Sequence, residues 1–590
     1  MDYALDRFER QVREAIAATG RVPEPLIELT EPKPNIPADL ALPAFRAAKA
    51  LGLQAPQLAQ DLAAAVRFAP DSLVGATAAA GPFLNFSLDP ARLTAAVLEE
   101  IEELGPRYGS DDQGAGKTAV IDYSSPNVAK LMHVGHIRST IIGQALYNIF
   151  SFLGYKTIGD NHLGDWGKQF GMNIAAIVKW GKPPGEGEEA LAQIDKLYAQ
   201  YARMAKEDPA LDDEARAWSL RLEQGDVTAR ELWQWMVDLT ISANRRNYER
   251  LGVHFDHIYG ESFYEPMLAE VIQEALDKQV AYRDENGAVV VDLGNSLPTF
   301  LLQRSDGGTL YHTRDVATVK FRLADFNPSQ ILYVVGMPQE LHFRQLFALV
   351  RAMGYAEDVE LAHIKFGTVF DQNGRPLSTR AGNMIYLADL LDDAHRRARA
   401  VVEQASPDLP EDEKDSVAEI VGVGSVVYND LYQDPRRNIT LDWERMLSLE
   451  GNSAPYIQYM YARCRSIMRK ASEGPGVSVQ GSELSMAVPD PRPLAPDPRL
   501  LTHPSELAVV KQLAKLPGAA REAGARYAPF VVAEWCYETA RALSGFYRDC
   551  SVLRAETPDL RAARLQLVAA TAQALRNGLA LLGLRAPERM

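Results

Sequence analysis

The chain has 590 residues, of which 47% are hydrophobic and 24% charged, a globular balance at a length that divides into roughly three to five domains. A net charge of −16 excludes a non-specific nucleic-acid binder that gathers phosphates with a broad positive field, while leaving room for local basic faces and for an acidic pocket suited to a cationic small molecule. Cys464, Cys536 and Cys550 lack the Cys-x-x-Cys spacing of a zinc ribbon, the start Met1-Asp2-Tyr3-Ala4-Leu5-Asp6-Arg7 is acidic where a signal peptide is basic, and no run approaches the ~18 apolar residues of a membrane span, so a reducing, cytoplasmic setting is expected.

Residues 1–108 predict a small α/β unit. An amphipathic helix covers 2–18, helices cover 45–51 and 55–66, and 82–88 alternates as a strand. A helix over 90–104 follows, capped by Asp89 and opened by Pro90. The Gly-, Asp- and Ser-rich run 105–116 predicts a linker.

Residues 117–394 predict an α/β domain. An apolar strand over 118–123, a long helix over 135–153 ended by Gly154 and a strand beginning at Thr157-Ile158 make a β-α-β unit; a strand over 330–335 and a helix over 340–353 continue it. This alternation predicts a doubly wound, Rossmann-like parallel sheet with its ligand site at the carboxyl ends of the strands. Residues 181–253, charged and carrying Trp218, Trp233 and Trp235, predict a helical insertion. Residues 395–590 predict an all-α domain, broken only by the proline-rich loop 472–504.

The chemistry-bearing run is Ser124-Ser125-Pro126-Asn127-Val128-Ala129-Lys130-Leu131-Met132-His133-Val134-Gly135-His136, between a strand and a helix. A helix N-terminus offers backbone N–H groups and a positive dipole end to a polyphosphate. His133 and His136, three apart, share a face and can each donate to a phosphate oxygen. Gly135 lets a flat base approach the backbone, and Lys130 adds a mobile charge. No third ligand follows at a helpful spacing, so no bound metal is expected. A bare His-x-x-His pair is more often a cap and a surface residue; the strand before it and the helix after it set this one apart. Gly114-Ala115-Gly116-Lys117-Thr118 is not a P-loop, because Asp111 stands at its first glycine position and it precedes a strand, and Gly422-Val423-Gly424 lacks the third glycine of a dinucleotide fingerprint.

His133-Val134-Gly135-His136 resembles the His-Ile-Gly-His signature of class I aminoacyl-tRNA synthetases, and Ser124 to Lys130 is similar to its form in arginyl-tRNA synthetases. Leu163-Gly164-Asp165-Trp166-Gly167-Lys168-Gln169-Phe170 resembles that family's next signature. The second class I signature is matched best by Arg375-Pro376-Leu377-Ser378-Thr379-Arg380, with Pro376 and Thr379 at the two lysine positions; the family often degrades this motif, and Lys130 is implied to supply the missing charge. The resemblance implies Lys130, His133, His136 and Arg380 as catalytic, and His133, Gly135, His136, Leu377, Ser378 and Arg380 as ATP-binding. It implies Ser125, Asn127, Glu261, Tyr311, Asp315 and Gln339 as arginine-binding, carboxylates and an aromatic face being what a planar guanidinium requires. Such a site can discriminate by ~10⁴ without editing, so 181–253 need not be an editing domain.

Tyr456, Gln458, Tyr459, Arg463 and Arg465 interleave aromatics and bases in a manner suited to RNA. The segments beginning Phe546-Tyr547-Arg548-Asp549-Cys550 and Asp559-Leu560-Arg561 resemble the family's helical anticodon-binding domain, and Gly81-Pro82-Phe83-Leu84-Asn85-Phe86 its added N-terminal domain, which is implied to touch the tRNA corner. The implied reaction joins arginine to its tRNA through an arginyl-adenylate, with ATP and Mg²⁺, in a monomer that activates arginine only when tRNA is bound. The rivals are a nucleotidylyltransferase, which is usually much shorter, a catalytically silent tRNA-binding paralogue, and a class I synthetase for another amino acid.

Overall fold

The computed structural model describes residues 1–590 apart from 34, 295–296, 378–383 and 474–495. The N-terminal unit comprises α1 (Ala4–Ala18), β1 (Leu40–Pro43), α2 (Phe45–Leu51), α3 (Ala55–Ala65), β2 (Val74–Ala80), β3 (Phe83–Leu88) and α4 (Pro90–Leu104). The helices and β3 lie where periodicity and caps place them; β1 and β2 flank β3 in an antiparallel sheet. Strict alternation in β3 sends Leu84, Phe86 and Leu88 into the core, and the Asp89 carboxylate accepts the Arg92 N–H at 3.0 Å to start α4.

The expected linker 105–116 is instead a packed joint. Tyr108 is fully buried and its hydroxyl donates to Leu513 O at 2.9 Å, while Asn577 Nδ2 donates to the carbonyls of Gly105 and Tyr108 at 3.0 Å. Glycine and aspartate there signal tight turns rather than solvation, and one buried aromatic is enough to anchor them.

The α/β part runs β4 (Thr118–Asp122), α5 (Val134–Phe152), β5 (Lys156–Asp160), α6 (Lys168–Trp180), α7 (Gly187–Glu207), α8 (Pro209–Glu223), α9 (Val227–Leu251), α10 (Leu268–Asp277), β6 (Ala281–Arg283), β7 (Val289–Val291), β8 (Phe300–Gln303), α11 (Tyr311–Phe326), β9 (Gln330–Gly336), α12 (Glu340–Ala352), β10 (Glu360–Phe366) and β11 (Val369–Phe370). Among the described residues, four strands form a parallel sheet in the order β10-β9-β4-β5. Both faces are covered, which is why its inner strands are continuously apolar. Ala119 and Ile121 of β4 with Leu332 and Val334 of β9 face the core that includes α5, whereas Val120, Ile331 and Tyr333 face the one built with α10, α11 and α12. The antiparallel sheet β6-β7-β8 is an addition that sequence periodicity does not announce.

Helices α7, α8 and α9 fill the expected insertion and share a core with α6, into which Val128, Ala129, Leu163 and Trp166 of the two strand-to-helix loops also pack. The C-terminal part comprises α13 (Leu387–Ala405), α14 (Glu411–Leu431), β12 (Ile439–Thr440), α15 (Trp443–Met446), α16 (Ala454–Ser472), α17 (Pro504–Ala514), α18 (Leu516–Ala525), α19 (Phe530–Asp549) and α20 (Pro558–Leu581). The expected boundary at 394 falls inside α13, whose apolar face runs unbroken through Leu387, Leu390, Leu391, Ala394, Ala398 and Val402. Among the described residues beyond 395 the chain is helical as expected, apart from the two-residue β12, which pairs in parallel with β11. The proline-rich stretch lies largely in 474–495, outside the described residues.

Candidate active site

The β4–α5 loop is held in an uncommon backbone shape. Ser124, Ser125 and Ala129 have φ of 71°, 47° and 63°, left-handed values that cost each non-glycine residue about 1–3 kcal/mol and persist only when neighbours impose them. The Ser124 N–H donates to Ser139 Oγ at 2.9 Å and the Ser125 N–H to Asn161 Oδ1 at 3.0 Å. Ser125 Oγ donates to Asp122 Oδ1 at 3.0 Å, and the Ala129 N–H to Thr240 Oγ1 of α9 at 3.0 Å.

His133 caps α5. Its Nδ1 accepts the Gly135 N–H at 3.1 Å, and its own N–H donates to His136 Nδ1 at 3.1 Å. With both Nδ1 atoms accepting, the proton of each neutral ring stands on Nε2. Burial lowers the His133 pKa, helped by Lys130; burial lowers His136 further, to about 3, with His133 and Lys130 adding to it. Both rings are therefore neutral Nε2–H donors, with centroids 3.9 Å apart. A Cβ on Gly135 would lie 2.8 Å from His133 Cε1, so the glycine leaves space for that ring.

One expectation is corrected here. The first-turn N–H groups are not open to a ligand: Val134 N–H donates to Ile385 O at 2.9 Å, Gly135 N–H to His133, and His136 N–H to His133 O at 2.8 Å. What α5 presents is its dipole and two imidazole donors. The same pairing, with Leu387 N–H on Met132 O at 3.0 Å, stitches the segment after residue 383 to His133. Before residue 378, Leu377 is buried and its N–H donates to Val369 O at 2.9 Å. Ser378, Thr379 and Arg380 themselves lie outside the described residues.

The β5–α6 loop is the spine of the site. Val128 N–H donates to Gly164 O at 3.0 Å on one side, and Glu261 N–H to Leu163 O at 3.0 Å on the other. Buried Asp165 accepts from the N–H and Oγ of Ser262 at 2.8 and 2.6 Å. Asn127 bridges Gly164 and is itself exposed.

Opposite lies the start of α11. Tyr311 is 66% exposed, presenting its ring, and one turn later Asp315 Oδ2 lies 2.5 Å from His342 Nε2. Burial alone would raise the Asp315 carboxyl; the His342 contact, with His162 and His312 nearby, outweighs it and holds the group below the ordinary carboxylate range. Burial pushes Glu261 up, against Arg314, whose Nη1 is 3.7 Å from its Oε2, and His162. Gln339, at the carboxyl end of β9, is exposed. Buried and without a protein hydrogen-bond partner are His162 Nδ1, His312 Nε2 and Arg314 Nε, polar atoms that water or a ligand can complete.

Sequence reasoning missed Arg322, which is fully buried two turns beyond Asp315 on α11. Its Nε donates to Asp160 Oδ2 at 3.0 Å and its Nη2 to Asp122 Oδ2 and Asp160 Oδ2 at 2.7 Å, tying the ends of β4 and β5 to the helix that carries Asp315. It also missed His342, Asn161 and His162. Only the position of Asn161 and His162 directly before Leu163-Gly164-Asp165 could have singled them out.

On α16 the expected RNA-facing set divides. Gln458 is fully buried, its Nε2 donating to Arg585 O at 2.9 Å, so it is a packing residue and leaves the set. Tyr456 packs on Tyr537 and Arg465 pairs with Glu588 at 2.6 Å. Tyr459 and Arg463, four apart, are exposed, with the Arg463 guanidinium over the Tyr547 ring.

Comparison with known proteins matches three family descriptions in order: "Arginyl tRNA synthetase N terminal domain" over residues 6–88, "tRNA synthetases class I (R), catalytic domain" over 104–443, and "DALR anticodon binding domain" over 457–590. The chain is 62% identical to an arginine–tRNA ligase of Chloroflexus aggregans over 590 residues, all of both chains, and 38% identical to one of Alkaliphilus metalliredigens over 99% of this chain and 100% of that one. A Thermus thermophilus arginyl-tRNA synthetase structure superposes with a TM-score of 0.79 at 25% identity, covering 98% of this chain and 100% of that one. With the histidine loop, the Rossmann-like sheet and the helical C-terminal domain in the same order, the chain belongs to the arginyl-tRNA synthetase family of class I synthetases.

Proposed function

We propose that the chain joins L-arginine to its cognate tRNA at the expense of ATP. The arginine carboxylate oxygen attacks the α-phosphorus, the bond to pyrophosphate breaks, and arginyl-adenylate forms. A terminal ribose hydroxyl of the tRNA then attacks the acyl carbon, takes the arginyl group and releases AMP. Mg²⁺ enters with ATP as part of that substrate.

The observation that carries this reading is the paired Nε2–H donors of His133 and His136, fixed by their Nδ1 contacts. Oriented donors that need no reorganisation stabilise charge as it builds on the transferring phosphate. Lys130 adds a full charge beside them, and Gly135, Leu377, Ser378 and Arg380 complete the ATP side. On the arginine side, ionised Asp315 and the exposed ring of Tyr311 receive the guanidinium, with Ser125, Asn127, Glu261 and Gln339 around them. Tyr459, Arg463, Tyr456 and Arg465 contact the tRNA. The enzyme works as a cytosolic monomer; among the described residues no helix is long and apolar enough to cross a membrane.

The test is transfer of radiolabelled amino acid to total tRNA by the purified chain. Arginine is expected to be incorporated and lysine and glutamine are not. Failure with arginine, or incorporation of lysine to the same level, overturns the reading.

A further inference from the structure

The inserted helices carry an observation that this reaction scheme does not use. The Lys130 ammonium lies over the ring of Tyr198 on α7, 5.3 Å from its centroid, a geometry in which the ring quadrupole attracts the cation. Asp195, three residues earlier on the same face of α7, also senses the Lys130 charge; burial raises its carboxyl and Lys130 opposes that rise. The backbone leading into Lys130 is governed from the insertion as well. Ala129 holds its left-handed φ of 63° with its N–H on Thr240 Oγ1 of α9, and Thr240 is fully buried, donating in turn to Met236 O at 2.7 Å. Val128 and Ala129 are buried in the insertion's own core with Trp218, Leu232 and Met236.

We infer that the inserted helices position Lys130 for the phosphate chemistry, with Tyr198 holding the ammonium and Thr240 holding the backbone before it, an inference that rests on the reading of Lys130 given above. A lysine stem is flexible and its charge works only where it is placed. A ring contact and a neighbouring carboxylate keep the ammonium near the histidine donors, and among the described residues no short ion pair holds it back from a phosphate. Tyr198 and Thr240 are positioning residues, acting on the reaction through Lys130.

The experiment is a double-mutant cycle in arginine-dependent ATP–pyrophosphate exchange, with tRNA present and the thermal midpoint of each variant recorded. Tyr198→Leu is expected to lower kcat roughly tenfold with the arginine KM unmoved, and Tyr198→Phe, which keeps the ring, to recover most of the rate. In a Lys130→Met background Tyr198→Leu is expected to cost nothing further. Thr240→Val, nearly isosteric, gives a second cycle with the same expectation should Tyr198→Leu fold poorly. An equal loss from these changes with and without Lys130 overturns the inference while leaving Lys130's own role in place. Wild-type exchange by Lys130→Met removes the reading on which the inference stands.

Discussion

An imidazole in water titrates near 6.5, but burial and the neighbouring positive charge take His136 to about 3 and lower His133 in the same sense. The fold favours the neutral rings. Their contribution to stability is therefore fully present above about 6.5 and is lost as the pH falls from there toward the folded values. Because both rings are shifted below the ordinary imidazole value, the exchange rate is expected to show no acidic limb near 6.5 from these residues. A limb at that pH that vanishes in His133→Asn would contradict neutral donation. Asp315 makes the second residue-scale prediction. Asp315→Asn removes the ionised acceptor and is expected to raise the arginine KM by about 10- to 100-fold, the worth of a hydrogen bond to a charged group, with a much smaller change in the KM for ATP. An unchanged arginine KM would remove Asp315 from the pocket. Tyr311 and Asp315 were singled out by resemblance to a family segment, and they stand one turn apart at the start of α11. His342 was not, because its partnership with Asp315 spans 27 residues and follows from the packing of α12 on α11.

At the scale of elements, the buried Arg322 pair decides where the site sits. Asp122 and Asp160 end β4 and β5, and without a countercharge two carboxylates at the head of a sheet would repel and remain unsatisfied. Arg322→Met is expected to destabilise the protein by about 3–5 kcal/mol, because it leaves buried charge uncompensated. Chemical denaturation measures this, and a change below about 1 kcal/mol would show that the clamp is dispensable. Strong periodicity revealed β4, α5, β9 and α12 from the sequence. β10 escaped notice because it is an edge strand: Glu360, His363 and Lys365 interrupt its apolar pattern, as half-exposed edges allow. Strands β6, β7 and β8 are three or four residues each, too short to show a period. Thr379 lies within 378–383, outside the described residues, and Pro376 stands just before them; the chemistry of these departures is tested best by activity.

Across the whole molecule, the units are joined by polar contacts and not by a loose linker. Arg138 of α5 makes a bidentate pair with Asp430 of α14 at 2.8 and 2.9 Å, fully buried, so the helix that carries the histidines is tied to the C-terminal part. Arg521 of α18 reaches Asp6 of α1 and Asp111 of the joint, linking the same helical bundle to the N-terminal unit. Domain order was legible from motif order; these joints were not, since single arginines leave no periodic trace. On the proposal that tRNA contacts α16, these joints would supply a physical path from that helix to the histidine loop. The measurement that tests this most directly is arginine-dependent ATP–pyrophosphate exchange by the full chain, with and without tRNA, and with lysine and glutamine as controls. Exchange with arginine alone, and only when tRNA is present, is the predicted result. Equal exchange without tRNA would contradict the coupling, and no exchange under any condition, from folded protein that still binds tRNA, would contradict the enzyme itself.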